Sequence, residues 1–268
     1  MRPYVGPYES HEDEFTRRSS VGEATSLVEF IQLVQNHVPT GKPLFRGQSR
    51  SWTLRPGIDR MRKPIQNGDQ YPIPRDRELL EEFKRLSWPL VDRPPEWDDD
   101  WSWLALAQHH GLPTRLLDWS TSSLIGLWFA IGEFQQERYP PIERDKGPCV
   151  WMLRLNEGLW ASRNNDPFNL SDLRAYAPPT VTPRLHGQRG VFTASGIRNN
   201  RGSIENFERN VNNPDSMFLE FVTIRPDCAQ SMAEELRQQG IDESTIYPDL
   251  QGTSALLRRL APKYANAR

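Results

Sequence analysis

The sequence has little cysteine, no long apolar run and no segment that resembles a signal peptide. Its two cysteines, Cys149 and Cys228, lie far apart in apolar surroundings, which favours free buried thiols over a disulfide. No apolar stretch approaches the roughly 18 residues that a membrane-spanning helix needs, and the N-terminus is polar. We therefore expect a soluble, cytoplasmic protein with no membrane partner.

An excess of one charge is also missing. The chain carries 33 Lys and Arg residues against 35 Asp and Glu residues, for a formal net charge of -2 at pH 7. Bulk charge therefore does not mark a nucleic-acid-binding protein. Lysine itself is scarce, so most basic residues are arginines, whose planar guanidinium group suits carboxylates and phosphates. Recognition of an anion at one local site stays open.

Several signatures of common enzyme classes are absent as well. The sequence has neither of the glycine-rich phosphate loops, G-x-x-x-x-G-K-[ST] and G-x-G-x-x-G, and no G-x-S-x-G elbow. Its five histidines include no pair at the i, i+4 spacing of a zinc-binding helix, and no C-x-x-C occurs. We therefore expect no P-loop or Rossmann nucleotide site and no bound metal.

Hydrophobic periodicity predicts helices mainly in the first half of the chain and strands mainly in the second. The predicted fold class is α+β: a single globular domain with an α-rich N-terminal half and a mixed or antiparallel sheet completed by the C-terminal half. Residues 1–24 are polar and are predicted to form a loose N-terminal arm, which leaves 25–268 as the domain. The main expected strands are 44–46, 149–155 and 217–224, and the main expected helices are 26–38, 76–90, 101–108, 124–134, 226–240 and 253–260.

The segment Leu44–Gln48 is predicted to begin as a short strand, 44–46, that ends in Arg46 and is followed by Gly47. An arginine beside a glycine that permits close backbone approach is suited to grip a phosphate. Alternatively, Arg46 pairs with a buried acid such as Asp118 and pins the strand to a helix. The residues alone leave both interpretations open.

The run from Gln108 to Ser123 places two histidines, an arginine, an aspartate and a hydroxyl cluster within sixteen residues. Because charges are costly to bury without partners, such side chains form either internal ion pairs or the wall of a polar pocket. Arg115 and Asp118 are three residues apart and could pair with each other on a helical turn. The hydroxyls from Ser120 to Ser123 either cap the next helix or line an anion or ribose site.

A third polar segment runs from Arg184 to Thr193, with glycines on both sides of Gln188 and Arg189. A loop that leads into a strand here would present Gln188 to a ligand amide or ribose. The alternative is a structural turn. Elsewhere in the chain no motif singles out one acidic candidate among Glu205, Glu220 and Glu243.

At these segments the sequence resembles the FRG-domain family, named for its Phe-Arg-Gly motif. The resemblance covers roughly residues 25–260, and it implies that 25–268 form an FRG-like domain of a bacterial or phage-related protein. It rests on Phe45-Arg46-Gly47-Gln48, the block from Gln108 to Ser120, the Arg-x-x-x-Gln-x-Gly-x-Phe run from Arg184 to Phe192, and Tyr247-Pro248-Asp249-Leu250.

The sequence is also distantly similar to ADP-ribosyltransferases, which carry an aromatic-Arg-Gly strand, then Ser-Thr-Ser, then a Glu or Gln. Here Phe45-Arg46-Gly47, Ser120-Thr121-Ser122 and Gln188 occur in that order. In that family Ser-Thr-Ser lies on a strand, whereas here it precedes an expected helix, and no Glu-x-Glu follows it.

This similarity implies an NAD-binding enzyme. Arg46 would hold the pyrophosphate, His109 or Ser122 would contact the nicotinamide ribose, and Gln188 or Glu220 would steady an oxocarbenium-like transition state. The candidate catalytic residues are His109, Asp118, Gln188 and Glu220. The candidate NAD-binding residues are Arg46, Gly47, Gln48, Arg115, Ser120, Thr121, Ser122 and Arg184.

Two other functions stay open. The first is a non-catalytic module that binds a nucleotide or nucleic-acid phosphate through Arg46, Arg115 and Arg184. The second is a nuclease or other hydrolase that uses His109 and Asp118. A role in toxin–antitoxin or phage-defence systems, with a protein partner such as an antitoxin, is implied by family association.

Overall fold

The computed structural model describes residues 20–38, 41–52, 54–61, 76–135, 147–179, 183–195 and 217–265. These residues form nine helices and one seven-stranded mixed sheet, so the predicted α+β class is confirmed. Most of the predicted N-terminal arm lies outside the described residues. None of the helices in the described ranges combines the length and the apolar character needed to cross a membrane.

The sheet has the strand order β1-β7-β4-β2-β3-β6-β5. β1 pairs in parallel with β7, and the other neighbouring strands pair antiparallel. The strands are β1 (Ser20–Ala24), β2 (Leu44–Gln48), β3 (Leu117–Ser120), β4 (Cys149–Leu155), β5 (Arg174–Tyr176), β6 (Gly190–Ala194) and β7 (Met217–Ile224).

The helices cover both longer segments and single turns. Short 3-10 turns extend α3 and α5 and precede α7. The helices are α1 (Leu27–His37), α2 (Gly57–Arg60), α3 (Asp76–Ser87), α4 (Asp100–His109), α5 (Ser123–Ile131), α6 (Pro183–Gly187), α7 (Ala229–Gln238), α8 (Glu243–Ile246) and α9 (Leu250–Ala265).

The long apolar elements agree with their sequence patterns. β4 and β7 coincide with the predicted strands, and Ser26 caps α1 by accepting a hydrogen bond from the Glu29 N–H at 3.3 Å. In α3 the helical spacing of apolar residues predicts that Leu86 faces inward with Leu79, Leu80 and Phe83, and this is wrong for Leu86, which is exposed. Lys84 is buried there instead, and its ammonium group donates to Asp100 at 2.5 Å and to Glu81 at 2.8 Å.

Successive residues of each strand point to opposite sides of the sheet. Each face of the sheet is covered by a hydrophobic core. On β4, Val150 packs into a core formed with α1, α5 and α7, whereas Trp151 packs into a second core on the other face. A third cluster joins α3 and α4 to the end of the sheet at Tyr176 and Phe192. The two free cysteines differ in burial: Cys149 is buried and Cys228 is partly exposed.

β2 and β3 share a single register pair, Phe45 with Ser120, whereas β2 pairs with β4 along its whole length. Helix α5 packs closely on β2 at this point. A Cβ atom on Gly47 would overlap the carbonyl oxygen of Gly126 and lie 2.5 Å from the backbone nitrogen of Ala130. Glycine at position 47 is therefore required by helix packing. An open cleft lies where β2 and β3 are joined by this one pair.

Candidate functional site

The cleft has a volume of about 500 Å³ and lies among β2, β3, β6, α4 and α6. Residues from distant parts of the chain meet in it, because the sheet brings β2, β3 and β6 side by side. Of the residues predicted as functional, the following line the cleft: Arg46, Gly47, Gln48, His109, Asp118, Ser120, Arg184 and Gln188.

Arg46 extends from β2 into the cleft, and its side chain is 16% exposed. One nitrogen, Nη1, donates to the backbone oxygen of Asp118 at 2.8 Å and lies 3.5 Å from the carboxylate Oδ2. Its Nε is buried without a hydrogen-bond partner among the described residues. Burial is the main influence that lowers the pKa of Arg46; Asp118 opposes it and Arg60 adds to it. Asp118 therefore offsets the burial of this charge only in part, and an incoming anion would add to that compensation.

Asp118 supplies the carboxylate on the cleft wall. Its side chain is 63% exposed, although it lies between two buried neighbours on β3. Gln108 Nε2 donates to Asp118 Oδ1 at 2.6 Å, and the hydroxyl of Thr114 donates to Gln108 Oε1. The carboxylate is thus held firmly at one oxygen while the group as a whole stays accessible.

His109 lies at the C-terminal end of α4 and lines the same cleft. Partial burial is the main cause that lowers its pKa from the ordinary 6.5; His110 and Arg184 lower it further, and Asp249 opposes them. The imidazole of His109 is therefore mostly neutral at neutral pH, and a neutral imidazole is able to accept a proton.

Gln188 lies in the turn between α6 and β6. Ser120 anchors this turn by donating its hydroxyl proton to the backbone oxygen of Gln188 at 2.8 Å. The next residue, Arg189, adopts a left-handed conformation with φ of 48°, which is uncommon for a residue other than glycine. Gln188 consequently lines the cleft from a turn that is tied to β3.

Arg184 lines the cleft and is already paired at its rim. Its Nε donates to Asp249 Oδ2 at 2.5 Å, its Nη2 donates to Gln251 Oε1 at 2.5 Å, and its guanidinium lies 5.2 Å from the ring centre of Tyr247. The Tyr-Pro-Asp-Leu segment noted in the sequence therefore holds α6 against the C-terminal helices. Arg184 is less available to a ligand than Arg46.

Arg115 lies outside the cleft, in the interior between α3 and the loop before β5. It forms an ion pair with Asp76, with its Nη2 and Nε at 2.5 and 2.7 Å from Oδ2, and its Nη1 donates to the Pro167 oxygen at 2.7 Å. Its guanidinium also stacks on Phe168 at 4.5 Å. The suggested pair between Arg115 and Asp118 does not form. Arg115 acts as an internal ion-pair partner.

Three further predicted residues also lie away from the cleft lining. Glu220 is on β7, with its Oε2 buried and without a hydrogen-bond partner in the described part of the chain, and burial raises its pKa despite the nearby His37 and Arg154. Thr121 is exposed and Ser122 precedes α5 without a side-chain capping bond.

The cleft also contains residues that sequence reasoning did not select. Gln108 belongs to the same sequence block as Asp118, so its proximity in sequence was the available signal. Thr114, which bonds to Gln108, is buried and is not part of the cleft lining. Trp52 and Phe129 present rings to the cleft that are 44% and 37% exposed. No sequence pattern distinguished these rings from the many buried aromatic side chains.

No group of three or more His, Cys, Asp or Glu side chains suited to a metal ion occurs within the described ranges. The chemistry that the described cleft residues offer is a cation for an anionic ligand, an accessible carboxylate and a neutral imidazole.

The comparisons with known proteins bear on the part of the chain that contains β2 and β3. Residues 41–138 match the family model of the FRG domain. The matched segment covers less than half of the chain, yet it contains Arg46, Gln108, His109 and Asp118. No curated protein sequence and no solved structure gives a significant match. Strand β6 lies beyond the matched residues, and so do Asp249 and Gln251, the hydrogen-bond partners of Arg184.

Proposed function

We propose that the cleft binds NAD and that the protein is an ADP-ribosyltransferase-like enzyme. The observation that carries the proposal is the state of Arg46. The guanidinium group of Arg46 lines an open cleft and its side chain is 16% exposed, so it presents a cation of the kind that binds a pyrophosphate. Phe45-Arg46-Gly47 and Ser120 are the residues of the aromatic-Arg-Gly and Ser-Thr-Ser pattern that line the cleft, and they support NAD over other diphosphates.

The size and the lining of the cleft fit such a ligand. A volume of about 500 Å³ is in the range of small-molecule sites. Arg60 also lines the cleft, close enough to Arg46 to influence its pKa, and adds positive charge. The exposed rings of Trp52 and Phe129 supply flat apolar surface for a nicotinamide or adenine ring.

In the proposed reaction the glycosidic bond between nicotinamide and ribose C1′ breaks, and its electron pair leaves with the nicotinamide nitrogen. A nucleophilic oxygen or nitrogen of the acceptor then bonds to C1′ and loses a proton. Asp118 would stabilise the positive charge that develops on the ribose, because its carboxylate lines the cleft. His109, whose imidazole is neutral at neutral pH, would accept the proton that the acceptor nucleophile loses. We assign the carboxylate role to Asp118 rather than Glu220, since Glu220 is not part of the cleft lining.

Calorimetry with NAD and an assay of nicotinamide release test the proposal together. We expect wild-type protein to bind NAD and release nicotinamide, and Arg46→Ala to weaken binding by roughly 10- to 100-fold. Arg85→Ala is the matched control, because Arg85 is an exposed arginine on α3 that pairs with Glu82. Wild-type protein that neither binds nor consumes NAD would contradict the proposal.

The second candidate is a phosphate-binding module without turnover. The observation in its favour is that Asp118 and Arg184 both already have partners, which is suited to a fixed recognition surface. It predicts binding of nucleotides or nucleic acid that weakens steeply with salt, with no release of nicotinamide. The hydrolase alternative with His109 and Asp118 would instead cleave nucleic acid without NAD.

We also propose, on the basis of the family resemblance, a role in conflict between bacteria and phages. If the protein is a toxin or defence enzyme, its expression in bacteria should arrest growth or block phage replication, and Arg46→Ala should abolish this effect. If the Arg46→Ala variant still arrested growth or blocked phage replication, the biological role would not depend on the cleft.

A further inference from the structure

We infer that Gln108 is a positioning residue, held by Thr114, that binds one carboxylate oxygen of Asp118 and leaves the other, Oδ2, as the oxygen that faces the reacting groups. This inference rests on the proposed function and specifies how its carboxylate works. It follows from the direction of the hydrogen bonds that connect Thr114, Gln108 and Asp118.

The Gln108 amide has one orientation that satisfies both of its neighbours. With Nε2 toward Asp118, it donates to Oδ1 at 2.6 Å, and Oε1 accepts the hydroxyl proton of Thr114. If the amide were turned over, Oε1 would face the carboxylate with no proton between two oxygens. The hydroxyl oxygen of Thr114, Oγ1, also accepts from the Leu116 N–H at 3.1 Å, which fixes the hydroxyl group next to the Gln108 amide.

The two oxygens of Asp118 therefore differ. Oδ1 receives the short bond from Gln108, whereas Oδ2 is 3.5 Å from Arg46 Nη1. The shorter bond of Nη1, at 2.8 Å, goes to the backbone oxygen of Asp118 instead. Because the side chain is 63% exposed in an open cleft, Oδ2 keeps lone pairs for a ligand cation or for the proton of an acceptor.

The backbone between Gln108 and Asp118 keeps this arrangement in place. Gly111 adopts a left-handed φ of 88° after α4, and the Leu112 N–H returns to the Ala107 oxygen at 3.0 Å. The backbone carbonyl oxygen of Thr114 then accepts from the Ile58 N–H of α2 at 3.0 Å. The turn is thus bonded at both ends, which suits a residue that must hold a partner in one orientation.

Replacements at Gln108 and Thr114 test the inference through kcat and KM for NAD, measured separately. Gln108→Met keeps the length of the side chain without the amide, and we expect kcat to fall about tenfold while KM changes by less than about twofold. Thr114→Val should lower kcat about threefold, and Thr114→Ser, which keeps the hydroxyl donor, should recover most of that loss. Thermal unfolding of each variant checks that it folds.

A rise in KM with unchanged kcat in Gln108→Met, or a Thr114→Ser variant no better than Thr114→Val, would overturn the positioning role. The hydrogen bonds have a test that does not need activity. The side-chain amide resonances of Gln108 in an ¹⁵N NMR spectrum should shift in both Thr114→Val and Asp118→Asn. Absence of these shifts overturns the inference. Shifts in a protein that does not consume NAD would instead mean that the proposed function has failed and the geometry has not.

Discussion

Two arginine–aspartate pairs in the same molecule differ in how completely they are satisfied. Arg115 and Asp76 are 2% and 7% exposed, and all three nitrogens of the guanidinium group have partners. Arg46 and Asp118 are 16% and 63% exposed, and the Arg46 Nε has no partner in the described part of the chain. The first pair is complete by itself. The second pair lines an open cleft with a guanidinium group and an accessible carboxylate, which is the arrangement that a ligand site needs.

The largest expected effect comes from breaking the sealed pair. Arg115→Ala should lower the free energy of unfolding by about 3–5 kcal/mol, because it leaves the Asp76 carboxylate buried without its cation. Urea denaturation measures this change. The double variant Asp76→Ala with Arg115→Ala should be less destabilised than the two single changes added together. An Arg115→Ala protein as stable as wild type would remove the contrast between the pairs.

Arg46→Ala should behave in the opposite way. We expect its free energy of unfolding to stay within about 1 kcal/mol of wild type, because the exposed carboxylate of Asp118 is solvated when its partner is lost. The loss should appear instead in NAD affinity. A large loss of stability with unchanged affinity would make Arg46 a scaffold residue like Arg115.

The aromatic lining of the cleft should have an intermediate effect. Trp52→Ala should weaken NAD binding about tenfold, since stacking of a base on an aromatic ring contributes roughly 1–3 kcal/mol. Trp97 is a matched control, because it is 47% exposed but is not part of the cleft lining. Equal losses in Trp52→Ala and Trp97→Ala would show that the rings of the cleft have no specific role.

The sequence predicted the strands and helices that depend on the local spacing of apolar residues. It did not predict elements that form only through pairing with distant segments. β4 and β7 are long and apolar, so their bounds could be read directly. β3 was missed because it has only four residues, too few for a clear pattern, and its strand geometry depends on pairing with β6. Ser120 consequently ends a strand, although Ser-Thr-Ser was expected only to precede a helix.

The same limit applies to the site. The motif arginines Arg46 and Arg115 looked equivalent in the sequence, because each lies beside apolar residues and each has Asp118 as a plausible partner. Arg46 does pair with Asp118, 72 residues away, whereas Arg115 pairs with Asp76, 39 residues away. Only the packing of α3 against the loop before β5 seals Arg115, and only the single register pair between β2 and β3 leaves Arg46 beside open space.

Glu220 offers the smallest and most specific comparison, since it is a second carboxylate with incomplete hydrogen bonding. Burial raises its pKa above the ordinary 4.5, so the folded state disfavours its ionised form. The resulting penalty is present at neutral pH and disappears as the pH falls below 4.5, where Glu220 is protonated in both folded and unfolded chains. Glu220→Gln should therefore raise the melting temperature slightly at pH 7 and have no such effect at pH 4. It should also leave nicotinamide release intact, whereas Asp118→Asn should lower it about 100-fold. If Glu220→Gln lost activity and Asp118→Asn kept it, the assignment of the reacting carboxylate to the cleft would be reversed.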